Sequence, residues 1–129
     1  LTVVEIASRY KEAEPLSSKT ATEVSAAFER IYSRGPGSHG GLPWPQLLEV
    51  DPGKEFLCAV TNTMQQHNVK IRDRHTAIHC DQAIVERFNQ TFAQRLLGYQ
   101  YAEELMSGTL RVQNRSREWV ARLPHVVSR

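Results

Sequence analysis

Short β-branched runs alternate along this chain with stretches of helical periodicity, and that alternation constrains the fold more than any other feature. Leu1 to Ala7 (LTVVEIA) reads as a strand. Ser8-Arg9 makes a turn, and Tyr10 to Pro15 alternates as its hairpin partner. Thr20 and Glu23 have capping-box spacing, opening a helix whose apolar stripe is Ala21, Val24, Ala27, Phe28 and Ile31. Gly35-Pro36 stops it, and Gly35 to Gln46 reads as a surface loop with Trp44 as an anchor. Leu47 to Val50 is a short buried strand ending at Asp51-Pro52-Gly53. A helix from Lys54 to His67, with Phe56, Val60 and Met64 on one face, leads to a strand over Val69 to Arg72. After a polar loop, Asp73 to Cys80, a long helix over Asp81 to Leu97 turns Ile84, Phe88, Phe92 and Leu96 inward. A last helix over Ser116 to Leu123 ends before Pro124. The order ββ-α-β-α-β-α-α predicts an α/β fold, a mixed sheet with helices on its faces.

One domain spanning residues 1–129 fits this length. No run approaches the roughly 18 uninterrupted apolar residues of a membrane span. The chain starts inside an apolar run at Leu1 with no initiator Met, charged n-region or cleavage site. It therefore reads as a piece of a longer polypeptide, not as a secreted precursor. Cys58 and Cys80 match no metal spacing and are too few for a disulfide framework, so a reducing compartment, nuclear or cytoplasmic, is expected. The net charge of +2 and pI near 8.7 permit a nucleic-acid partner without arguing for one. The cations are unevenly placed: Lys70, Arg72 and Arg74 cluster mid-chain, and Arg111, Arg115, Arg117, Arg122 and Arg129 load the end. A solvated soluble surface accounts for them equally well.

Two carboxylates stand in distinctive settings. Asp51 follows a strand in Val50-Asp51-Pro52-Gly53-Lys54-Glu55-Phe56, where sites of open α/β sheets gather. Glu86 lies near a helix start in Val85-Glu86-Arg87-Phe88-Asn89. Carboxylates are favoured at turns and helix starts in any case, so neither setting is specific alone. The pattern D-x-G-x-E-F, followed with 34 residues between Asp51 and Glu86 by V-E-R-x-N, resembles the retroviral and retrotransposon integrase core. Val4 to Ala13 is similar to that family's second and third strands, and Glu86 to Phe92 to its E-R-x-N-R-T-L helix.

The resemblance spans roughly residues 1 to 98. It implies an RNase H-like sheet lacking the family's first strand, which carries the first Asp of the Asp, Asp, Glu triad and would precede Leu1. It implies Mg²⁺ (or Mn²⁺) held by Asp51 and Glu86, because hard cations take carboxylate oxygens and paired ions can activate a nucleophile beside a phosphate. It implies DNA as partner, contacted by Asn89 and Gln90, with Lys70, Arg72 and Arg74 adding electrostatic attraction. It further implies homo-dimers or higher oligomers and polynucleotidyl transfer on DNA ends, by a transposon-derived parent rather than by residues 1–129 alone. Glu5 matches a non-catalytic position. Ala83 and Gln90 depart from the family's Gly and basic residue, so a domesticated, inactive module binding DNA or a protein stays open as an alternative. A ribonuclease H-type nuclease would share the fold without the V-E-R-x-N helix. His75, His79 and Cys80 invite a zinc reading, but no further Cys/His pair completes four ligands, and His79 is read as orienting the loop before Glu86.

Overall fold

The computed structural model describes residues 1–34, 41–51, 53–73, 79–106 and 119–127. The strands are β1 (Thr2–Val4), β2 (Lys11–Ala13), β3 (Leu47–Val50) and β4 (Lys70–Asp73). The helices are α1 (Ala21–Ser33), α2 (Ala59–Gln66), α3 (His79–Met106) and α4 (Trp119–Val127). Their order is the one the alternation predicts. The expected mixture of strand directions is present as two pairs: β1 and β2 antiparallel, β3 and β4 parallel.

Both pairs feed one core. Val24, Phe28, Ile31 and Tyr32 of α1 pack with Leu48 and Val50 of β3 and Val60 and Met64 of α2, while Leu1 and Val3 lie against the same cluster. The stripe predicted for α1 is buried as expected, apart from Ala21 at its partly exposed start. Ser25 and Thr63, polar residues inside the α1–α2 contact, satisfy each other through a 2.7 Å hydroxyl pair. Trp44 is indeed an anchor, its ring centroid 4.8 Å from that of Tyr32 and 3.6 Å from that of His67.

The hairpin is held to α1 by charge. A period of two puts Glu12 and Glu14 on one face of β2, and both are buried. A period of four puts Arg30 and Arg34 on one face of α1. Arg30 donates to Glu14 at 2.6 Å, and Arg34 donates to Glu12 at 3.1 Å and also to Glu14.

Helix ends follow local chemistry. The Thr20 hydroxyl accepts from the Glu23 amide at 3.4 Å, the predicted cap, whereas the Glu23 carboxylate accepts from the Ser17 amide. Thr20→Ala is expected to lower stability by about 1 kcal/mol, measurable as an earlier thermal transition by circular dichroism. At the end of α2, Asn68 takes φ 57° while Val69 N–H bonds to Met64 C=O at 2.8 Å and Asn68 N–H to Gln65 C=O at 3.1 Å. That is a Schellman ending with Asn in the left-handed position.

Three helix boundaries differ from expectation. The helix expected over Lys54 to His67 is a 3-10 turn over Lys54–Phe56, then α2, broken at Cys58 with φ 50°. Phe56, Val60 and Met64 still reach the core, so the break leaves no trace in the periodicity. Helix α3 continues through Gly98 to Met106, and a Cβ there would meet nothing. Helix α4 runs through Pro124 to Val127; Leu123 and Val126, both buried, draw the chain past the proline. The expected start of this helix at Ser116 lies outside the described residues, as do residues 35–40 of the Trp44 loop. No helix is long and apolar enough to cross a membrane among the described residues.

Candidate functional site

The alternation of β3 decides how Asp51 is presented. Leu48 and Val50 are buried, Glu49 between them is partly exposed, and Asp51, continuing the outward phase, is exposed. The pairing is in register, with Glu49 opposite Arg72 and Val50 opposite Asp73, so Asp51 stands just beyond the carboxyl ends of a parallel pair. The Gly53 N–H donates to the Asp51 carbonyl at 2.7 Å. The Glu55 carboxylate folds back over Gly53, where an added Cβ would come within 2.5 Å of Oε2. A side chain at that position would displace the acid, a small cost because the carboxylate ends a flexible side chain.

Glu86 belongs to the third turn of α3. Helical spacing places it with Asn89, Gln90 and Ala93, and all four are exposed, while Phe88 is buried and Ile84 and Phe92 are partly so. The partition expected between a solvent face and a packed face therefore holds. Phe88 and Phe92 contact each other with centroids 5.6 Å apart.

What secures this turn of α3 is the hairpin. The Thr2 hydroxyl donates to Asn89 Oδ1 at 2.8 Å, and the Lys11 ammonium stands 5.4 Å above the Phe88 ring. Sequence reasoning missed both Thr2 and Lys11. Their partners are more than seventy positions away, and no local pattern announces a contact at that separation.

Lys70 and Arg72 are exposed on β4, but Arg72 is engaged, donating to Glu49 at 3.0 Å across the ladder. Arg74, His75 and Pro52 lie outside the described residues. His79 begins α3 instead of closing a loop, two residues earlier than expected. Glu5 accepts from Ser8 within the hairpin turn. Among the described residues, no three His, Cys, Asp or Glu side chains gather as a metal cluster.

Compared with solved structures, the chain is similar to the catalytic core domain of BIV integrase. The TM-score is 0.69, over 98% of this chain and 70% of that one, at 20% identity. The fold is that of an integrase catalytic core. No protein-family model and no curated protein matches the sequence. The integrase-core fold thus rests on backbone geometry. It accounts for a hairpin, a helix and a parallel pair arriving in this order with so little shared sequence.

Proposed function

We propose that this chain is the core of an enzyme that processes and joins DNA ends by Mg²⁺-dependent polynucleotidyl transfer. The observation that supports it most is the integrase-core likeness over 98% of the chain. Asp51 and Glu86 are the proposed catalytic residues and metal ligands. Their chemistry suits the ion: both are exposed carboxylates, and Mg²⁺ takes one or two of these and completes its shell from water and phosphate oxygens. When bound, the ion supplies electrophilic stabilisation of phosphate charge and a more acidic water or hydroxyl.

The chain's own residues orient the DNA end. Asn89 and Gln90 lie one helical turn past Glu86 on its exposed face, within reach of a strand whose phosphate is at the carboxylates. Lys70, Arg72 and Arg74 attract the backbone, and sequence information does not come from such contacts. Self-association into dimers or larger assemblies is part of the proposal, since two DNA ends must be joined together.

The direct test is joining of labelled DNA ends by the natural full-length polypeptide, with Mg²⁺ and then with chelator. Joining that needs the metal supports the reading; DNA binding without joining leaves a binding module. The α3 face has its own test in a salt series. Gln90→Lys is expected to tighten DNA binding and steepen the dependence of log K on log salt by roughly 0.9 for each phosphate the new cation neutralises. Asn89→Ala should weaken binding with the slope unchanged, because a neutral amide releases no counterion.

A further inference from the structure

We propose that Thr2 is a positioning residue, holding the Asn89 side chain in place on the exposed face of α3 so that its amide donates to a DNA phosphate. The proposal rests on reading the exposed α3 face as the DNA-facing one. A side-chain amide has an acceptor end and a donor end, and a polyanion presents acceptors. Left free, an exposed Asn samples several rotamers. Here Oδ1 is taken by the Thr2 hydroxyl at 2.8 Å, across 87 positions of sequence. A hydroxyl both donates and accepts, so what the contact fixes is where the amide stands; in the bonded arrangement seen here the N–H groups remain for the phosphate.

Thr2 is well placed to hold the side chain there. It lies in β1, paired with Ala13 of β2, and Glu12 beside Ala13 is bonded to Arg34 of α1. The hydroxyl is therefore carried by a framed strand and not by a loop. Lys11 on the same hairpin grips the neighbouring Phe88, so the helix turn and the amide are held from one side. Glu86 is three residues earlier on the exposed face, and the fixed donor therefore stands one turn from the proposed metal ligand.

The experiment is a double-mutant cycle on DNA affinity, read by anisotropy of a short labelled duplex with the full chain. Thr2→Val keeps the shape and the strand preference but removes the hydroxyl. It should weaken binding about fivefold, the worth of one ordinary hydrogen bond. Thr2→Ser should restore wild-type affinity, and Thr2→Val should change nothing in an Asn89→Ala background. A DNA-free readout accompanies the cycle: the Asn89 side-chain carbonyl carbon resonance should shift in Thr2→Val and return in Thr2→Ser.

An equal loss from Thr2→Val in both backgrounds would overturn the proposal, since Thr2 would then act on the fold and not through the amide. So would an unmoved carbonyl resonance. If Asn89→Ala weakens binding and Thr2→Val does not, the proposal fails while the DNA reading of the face survives. If neither substitution changes affinity but the resonance moves, the hydrogen bond is real and the DNA-facing reading is what has failed, taking the proposed role with it.

Discussion

Asp51→Asn and Glu86→Gln are each expected to lower Mg²⁺-dependent joining of DNA ends by roughly a hundredfold or more, with the unfolding transition barely moved. Both changes keep side-chain shape and remove one negative charge. An amide oxygen is a poorer ligand for a small, strongly hydrated dication than a carboxylate oxygen. Because both positions are exposed, little packing energy is at stake, and surface changes of this kind usually alter stability by no more than about 0.5 kcal/mol. The separation between large catalytic loss and small stability loss is what distinguishes a ligand from a structural acid. Glu29→Gln is the matched control: it removes the same charge from an exposed position on α1 and should leave joining intact. The rates belong to the natural full-length polypeptide, followed with labelled ends at fixed Mg²⁺. Either variant retaining wild-type joining would remove that carboxylate from the proposed site.

How Glu86 is presented was legible because it depends on a local period. Helical spacing sets Glu86, Asn89 and Gln90 apart from Phe88. The cap at Thr20 was readable for a related reason, being a contact between residues three apart. The strand over Leu47 to Val50 reads as buried throughout, whereas Leu47 is 40% exposed and only Leu48 and Val50 turn inward, which sends Asp51 outward. What escaped is set by tertiary packing. Periodicity has no means of showing that the backbone breaks at Cys58, since Phe56 and Val60 reach one cluster from either side of it. Pro124 was read as a stop because it lacks a donor, but burial of Leu123 and Val126 outweighs one missing hydrogen bond. Thr2 with Asn89 and Lys11 with Phe88 require knowing that α3 packs on the hairpin. These last contacts bear most on the proposed site, because they hold the turn that follows Glu86.

Phe28→Ala is expected to be the most destabilising single truncation, costing about 3–5 kcal/mol. Such a loss is a large part of the ~5–15 kcal/mol that holds a domain of this size folded. Phe28 is 2% exposed and sits where α1, α2 and β3 meet. Its ring stacks on Tyr32 at 6.1 Å between centroids and tilts against Phe56 at 6.5 Å, while Leu48, Val50, Val60 and Met64 share its cluster. Truncation would leave a void bounded by three separate elements, and elements braced against one another relax little into the space. The consequence reaches the proposed site through β3. Leu48 and Val50 point into that cluster, and their burial sets the phase that turns Asp51 outward. Loss of joining in Phe28→Ala should therefore track loss of folded protein, in contrast to Asp51→Asn, where joining fails in a folded chain. Phe28→Leu should cost distinctly less, since most of the volume is kept. Leu105→Ala, at a position 73% exposed, should shift stability by no more than about 0.5 kcal/mol. Urea denaturation of the three variants would rank them by midpoint at constant slope. A Phe28→Ala midpoint close to that of Leu105→Ala would mean that the contacts around this ring do not hold α1, α2 and β3 together.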